Sequence, residues 1–162
     1  MAHTLTKMRI SGQGWVLRWA LLAAATDWLT KVVAEQTMPP GVGLPLGARL
    51  DLSHNTGVAF GGLSGAPDGV VLGVVAVGIA GLGWAVVSGV LPGGIAGGLL
   101  LGGAIANLVD RLEGGGVTDF IDVGAWPSFN LADVYLTVGV ALVLLSAVRP
   151  AESRDRSLRA PD

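Results

Sequence analysis

Residues 93–111 read Gly93-Gly94-Ile95-Ala96-Gly97-Gly98-Leu99-Leu100-Leu101-Gly102-Gly103-Ala104-Ile105-Ala106-Asn107-Leu108-Val109-Asp110-Arg111. On a helix, Gly94, Gly98 and Gly102 fall four residues apart on one face, as do Gly93 and Gly97. Small residues at that spacing let a neighbouring backbone come close, which is how helices associate where no water drives them together. The plain role of these glycines is packing. The stretch 93–110 just crosses a hydrocarbon layer of about 30 Å at about 1.5 Å per residue. Its far end abruptly turns polar, with Asn107, Asp110 and Arg111.

Working outward, Leu91-Pro92-Gly93 is a tight turn, so the apolar run 69–89 before it forms an antiparallel hairpin with 93–110. Two further apolar runs, 15–34 and 134–149, are long enough to cross, the second with little to spare. The first ends before Pro39-Pro40, which cannot continue a helix, and it reads as a retained span with no cleavage site behind it. The composition agrees: 51% of the 162 residues are hydrophobic and 14% are charged, as in a membrane protein. The expected fold is one domain, residues 1–162, an α-helical integral membrane protein with four transmembrane helices and a tail over 150–162. Between the first two spans, Leu44, Leu46, Leu50 and Leu52 alternate with a period of two, which predicts a half-buried strand. Backbone at membrane level must be satisfied internally or face water, so a small sheet on the helix ends is expected there.

Lys7 and Arg9 precede the first span, and Arg149, Arg154, Arg156 and Arg159 follow the last. Connectors 35–68 and 111–133 hold only Arg49 and Arg111. The bias of basic residues puts both termini in the cytoplasm and both large connectors outside. That topology gathers five acids at the outer interface: Asp27, Asp110, Asp119, Asp122 and Asp133. Acids at membrane depth are costly, about 2.5–3.5 kcal/mol each at a helix centre, and they persist where they pair, line a cavity or do chemistry.

With no cysteine and two histidines in the chain, thiol catalysis, disulfides and histidine-based metal centres are poor fits. Two close carboxylates cannot both ionise freely, so one keeps a proton while the other stays charged. Such a pair activates water and protonates a leaving amide nitrogen without metal or cofactor. An all-oxygen metal site from the same acids matches no loop motif. Each residue also has a plainer role. Asp27 and Lys31, at i, i+4, neutralise each other. Asp110 and Arg111 mark a helix end, and Asn130 is an N-cap. Asp133 complements a helix dipole, Asp122 is a solvated connector acid, and His54 is a polar wall residue. A small proton- or cation-coupled transporter also uses intramembrane acids, although no internal repeat and no cytoplasmic half-path is visible. A catalytically dead scaffold fits the full acid set poorly.

The ordered set Asp27-Trp28-Leu29-Thr30-Lys31, Asn55-Thr56-Gly57-Val58-Ala59-Phe60, 102–111, Val117-Thr118-Asp119-Phe120-Ile121-Asp122 and Phe129-Asn130-Leu131-Ala132-Asp133 resembles the motif series of the bacterial lipoprotein signal peptidases (signal peptidase II). The resemblance implies an aspartyl endopeptidase of the bacterial inner or cytoplasmic membrane. It would be monomeric and sensitive to globomycin, with no cofactor, metal or nucleic-acid partner. Its substrates would be diacylglyceryl-modified prolipoproteins presented by membrane lipid, cut just before the modified cysteine. Asp119 and Asp133 match the catalytic aspartates. Asn55, Asn107, Arg111 and Asn130 match polar residues of the substrate pocket, and Asp27, Lys31 and Asp110 match supporting ones. Residues 44–62 match an extracytoplasmic sheet that cradles substrate. Ala106 departs from the glycine usual in the family, and the connector from Asp122 to Phe129 is too short for the longer lid of some relatives.

Overall fold

The computed structural model describes residues 2–39, 41–57, 62–63 and 65–148, with side chains from residue 13 onward. The tail 150–162, Arg149, Val58-Ala59-Phe60 and the side chains of Lys7 and Arg9 lie outside the described residues. Four helices carry the fold: α1 (Ala2–Thr37), α2 (Asp68–Ser88), α3 (Gly94–Gly114) and α4 (Leu131–Val148). Three short strands, β1 (Val42–Gly43), β2 (Arg49–Asn55) and β3 (Val117–Asp122), form an antiparallel sheet in the order β1-β2-β3. Helices α2, α3 and α4 are each long and apolar enough to cross a membrane. Helix α1 has the length, but Arg18, Asp27, Lys31 and Glu35 interrupt its apolar character.

The bundle is inverted relative to a water-soluble one. Leu17, Leu21, Leu22, Leu29 and Val33 of α1 and Leu144 and Leu145 of α4 face outward, while Asp27, Lys31 and Asn107 are buried. Between helices sit small residues. A methyl group at Gly102 would meet the Ala20 carbonyl oxygen at 2.5 Å, and one at Gly103 would meet the Ala132 carbonyl oxygen at 2.7 Å. The paired glycines of α3 therefore serve three partners, with Gly98 and Gly102 against α1, Gly103 against α4 and Gly97 against Val86 of α2. Gly139 of α4 returns the close approach, lying against Leu100. Backbones this close gain dispersion contacts that larger side chains would forfeit. Helix α2 packs more loosely, with only Val71 and Val86 buried.

Helix α1 is longer than the expected 15–34, and α4 starts at Leu131 rather than 134, because helical hydrogen bonding continues beyond the apolar run. Three further differences have local reasons. Helix α3 runs past Asp110 to Gly114 and stops at Gly115, whose left-handed backbone (φ 71°) lets its N–H reach the Arg111 carbonyl at 3.1 Å. That is the usual glycine stop. Residues 44–46 are not strand: Pro45–Gly47 is a turn with Leu46 at φ 65°, fully exposed, and the strand begins at Arg49. Leu44 and Leu52 are likewise exposed rather than half-buried. The third strand, β3, was not legible; Val117–Asp122 pairs with β2 in the register Arg49↔Asp122 to Asn55↔Val117. A bulge between Leu50 and Ser53 shifts that register by one residue, the usual way a short strand re-aims its side chains.

Candidate active site

The two motif acids on opposite sides of connector 123–130 meet because of backbone pairing. Phe129 exchanges hydrogen bonds with Ile121 (Phe129 N to Ile121 O and Ile121 N to Phe129 O, both 3.0 Å). This brings the chain back alongside β3 just before α4 starts. The next residue, Asn130, is fully buried and faces β3. Its Nδ2 donates to Asp119 Oδ1 at 2.7 Å and to the Thr118 carbonyl at 3.3 Å.

Asn130 is also the N-cap of α4. Its Oδ1 accepts the Asp133 N–H at 3.0 Å, and Asp133 Oδ2 accepts the Asn130 N–H at 3.4 Å. This reciprocal pair has the logic of a capping box, with Asn and Asp in the roles usually taken by Ser/Thr and Glu. One buried side chain therefore contacts both acids. Asp133 Oδ1 also accepts from Asn107 Nδ2 at 2.9 Å. Asn55, the last residue of β2, donates from Nδ2 to Asp119 Oδ2 at 3.3 Å.

A cavity of about 590 Å³ opens onto these groups. Asn55, Asn107, Arg111, Asp119 and Asp133 form its polar end. Val117 and connector residues Trp126, Pro127, Ser128 and Phe129 make one wall, and Leu136, Thr137 and Val140 another. Positions 133, 136, 137 and 140 form one face of α4, so the cavity continues down the helix from the acid into apolar surroundings. Arg111 frames the mouth. Its Nη2 donates to the Gly57 carbonyl at 2.7 Å and its Nη1 to the Asn107 carbonyl at 2.9 Å.

Asp119 is 1% exposed. Burial, and then the neighbouring charge of Asp133, push its carboxyl up to about 6, against the opposing donations of Asn55 and Asn130 and the charge of Lys31. Desolvation and a like charge both favour the protonated form. The site therefore holds one carboxyl, Asp119, that keeps its proton into the mildly acid range.

Asp27, Lys31 and Asp110 form a separate, closed cluster. Lys31 Nζ lies 2.6 Å from Asp27 Oδ2 and 2.7 Å from Asp110 Oδ2. The expected i, i+4 pair therefore has a third member from α3. Asp27 Oδ1 accepts the Ala132 N–H at 2.7 Å, and Asp110 accepts the Thr118 N–H at 3.3 Å. Neither Asp27 nor Asp110 lines the cavity. Asp122 also lies outside it and accepts the Gly124 N–H at 2.7 Å. His54 is exposed and lines a small depression with Glu35, Leu52, Ser53 and Thr118 rather than the main cavity.

The sequence reading did not anticipate the connector wall, the face of α4, or the Glu35–Thr118 hydrogen bond (2.8 Å). The i, i+3, i+4, i+7 spacing from Asp133 was the available signal for the α4 face. No group of His, Cys, Asp and Glu suited to hold a metal ion occurs among the described residues.

Membrane-crossing helices, a sheet at one end and a polar-headed apolar cavity between them define the class: a membrane enzyme. The fold is similar to a solved bacterial membrane enzyme at TM-score 0.72 and 27% identity, over 92% of this chain and 93% of that one. A second such structure gives TM-score 0.71 and 27% identity over 85% and 95%. In sequence, the chain is 36% identical to the lipoprotein signal peptidase of Moorella thermoacetica, covering 85% of this chain and 95% of that protein. It is 39% identical to that of Shouchella clausii, covering 86% and 97%. Residues 19–149 match the pattern of signal peptidase (SPase) II. The chain belongs to the signal peptidase II family and is a protease.

Proposed function

We propose that this chain is the aspartyl endopeptidase that removes signal peptides from lipid-modified prolipoproteins, with Asp119 and Asp133 as its catalytic pair. The observation that carries this reading is Asn130, which holds Asp119 Oδ1 and the Asp133 backbone in one hydrogen-bonded unit at the polar end of the cavity. Asp133 sits in the first turn of α4, where the helix dipole favours an anion, and accepts a hydrogen bond from Asn107. It is the base. Asp119, buried and proton-retaining, is the acid.

Asp133 takes a proton from water as the water oxygen bonds to the scissile carbonyl carbon. Asp119 gives its proton to the amide nitrogen as the tetrahedral intermediate collapses and the carbon–nitrogen bond breaks. The products are a signal-peptide carboxylic acid and a lipoprotein with a free amino terminus. The shared proton is restored by transfer between the acids and solvent. Low dielectric around the pair strengthens each of these interactions.

Helix α1 serves as the fourth membrane span in this reading. Its buried charges pair inside the bundle with Asp110 rather than face lipid, which supports a crossing despite its composition. The basic residues in the first turns of α1 and after α4 support cytoplasmic termini in the bacterial inner or cytoplasmic membrane, with the acids near the outer interface. There a diacylglyceryl-cysteine keeps its acyl chains in the bilayer while its peptide bond reaches the acids, and the apolar wall of Leu136 and Val140 suits such a substrate. Ion transport has little support. The cleft at the opposite end, about 700 Å³ between α1, α2 and α3, is lined by apolar side chains apart from Gln13.

The test is cleavage of a lipidated prolipoprotein by purified, bilayer-reconstituted protein. Wild type cleaves just before the lipidated cysteine, and Asp119→Asn and Asp133→Asn do not. Near-normal cleavage by either variant removes the assignment.

A further inference from the structure

Asn107 has one side-chain oxygen and one side-chain nitrogen, and only one orientation serves the acid pair. Its Nδ2 must face Asp133, and there it donates at 2.9 Å. Two donors converge on its other atom: Lys31 Nζ at 3.2 Å and Asn130 Nδ2 at 3.2 Å. An ammonium group only donates, so the atom facing Lys31 must be the oxygen, and the amide is locked with its NH₂ toward Asp133. Lys31 is 3% exposed and is itself clamped between Asp27 and Asp110, so it has no solvent-facing alternative.

A second arm of the same cluster reaches α4 directly. Asp27 is fully buried, and its Oδ1 accepts the N–H of Ala132, the residue before Asp133, at 2.7 Å. That N–H belongs to the first turn of α4 and has no partner within its own helix. Asp27 thus caps, from α1, the helix end that carries Asp133.

We propose that the Asp27–Lys31–Asp110 cluster is a two-armed positioning device for the proposed catalytic pair, with Lys31 orienting the Asn107 amide toward Asp133 and Asp27 anchoring the first turn of α4. This rests on the assignment of Asp119 and Asp133 made above. No member of the cluster lines the cavity, and it acts on the pair through Asn107 and the Ala132 N–H, so its residues are positioning residues. Misplacement of a reacting group by about 1 Å costs on the order of 10²-fold in rate, so the effect should fall on kcat and spare KM.

The test is steady-state cleavage of a lipidated prolipoprotein by the full chain in bilayers. Removing Lys31 alone leaves two buried carboxylates unneutralised, so the informative variant is Lys31→Met/Asp110→Asn. It carries one negative charge in the cluster, as the native set does, and is compared with Asp110→Asn alone. The expected result is a fall in kcat of about 10- to 100-fold with KM within about threefold. Adding Asn107→Ala to that variant should give no rate below that of Asn107→Ala by itself, because Lys31 acts through Asn107.

For the second arm, Asp27→Asn keeps an oxygen for the Ala132 N–H and should retain clearly more kcat than Asp27→Ala. Unchanged kcat in the Lys31 variant, a loss that multiplies with that of Asn107→Ala, or equal kcat for the two Asp27 variants overturns the proposal. The last comparison stands even if the Lys31 variant fails to fold. Asp119→Asn and Asp133→Asn are run alongside. If they are inactive while the Lys31 variant is fully active, only the positioning role falls; if they are active, the pair itself does.

Discussion

Two groups of acids share one end of this bundle, and they differ in what faces them. Asp27 and Asp110 have Lys31 between them at 2.6 and 2.7 Å, and each also accepts a backbone N–H, Asp27 on its other oxygen and Asp110 on the same Oδ2. Among the described residues, the hydrogen bonds to the Asp119 and Asp133 carboxyls come from amides of Asn55, Asn107 and Asn130; the Arg111 guanidinium is near enough to act through its charge, and the pair faces an open cavity. A cation bonded directly between them would hold both carboxyls of the second group ionised. Neutral amides orient them without supplying charge, so one can keep its proton. The same residue type thus sits in a closed ion-pair cluster in one place and in the proposed catalytic pair in the other, where asparagines rather than a lysine hold the carboxyls.

That contrast can be broken from either side, and the largest effect is expected at the open pair. Asp119→Asn or Asp133→Asn should lower kcat by at least about 10²–10⁴-fold, the usual contribution of general acid–base catalysis, while leaving the thermal unfolding transition in place. In the closed cluster the weight shifts to stability. Asp27→Ala removes half of a buried ion-pair clamp and the acceptor for Ala132 N–H, and should destabilise the fold by about 3 kcal/mol, measured as a lowered unfolding midpoint in detergent or bilayer. Equal melting points for Asp27→Ala and Asp119→Asn would erase the distinction.

A smaller stability loss is expected where helices α1 and α3 bring the two groups together. Gly102→Ala places a methyl 2.5 Å from the Ala20 carbonyl oxygen and should cost about 1–3 kcal/mol, with less effect at open Gly73, which has nothing within 4 Å.

The smallest effect concerns the proton. Asp119 is pushed up to about 6, so the pair holds one proton below that pH and loses it as pH rises. The kcat/KM profile, which reports the free enzyme, should therefore fall through about pH 6 on its alkaline side. Asn55 donates to the charged form of Asp119. Asn55→Ala should thus raise the proton affinity and move the falling limb up by as much as about one pH unit. A limb that stays put, or moves down, would show that Asn55 does not act on Asp119's proton.

Much was legible from residue order alone. The apolar runs, the glycine spacing of α3 and the concentration of acids near the ends of three runs depend on composition and local period. Helical segments largely carry these with them, because their hydrogen bonds are internal. The period-two leucines were misleading at 44–46, since Pro45 and Gly47 impose a turn that hydropathy does not register. Strand β3 was invisible for a related reason: six residues gain strand character only from the partner strand beside them.

The sequence by itself determined a membrane-type helical chain with polar motifs clustered near one end, and its motif order pointed to a family. Tertiary structure alone decided which acid met which partner. Lys31 is near Asp27 by helix pitch, but its contacts with Asp110 and Asn107 span 79 and 76 residues. Asn130 reaches Asp119 because Phe129 pairs back onto Ile121. Such contacts follow from glycine-width helix packing and from one strand register, and neither is encoded at any single position. Whether an aspartate is clamped or reactive depends on its neighbours in space, and the chain places those only when it folds.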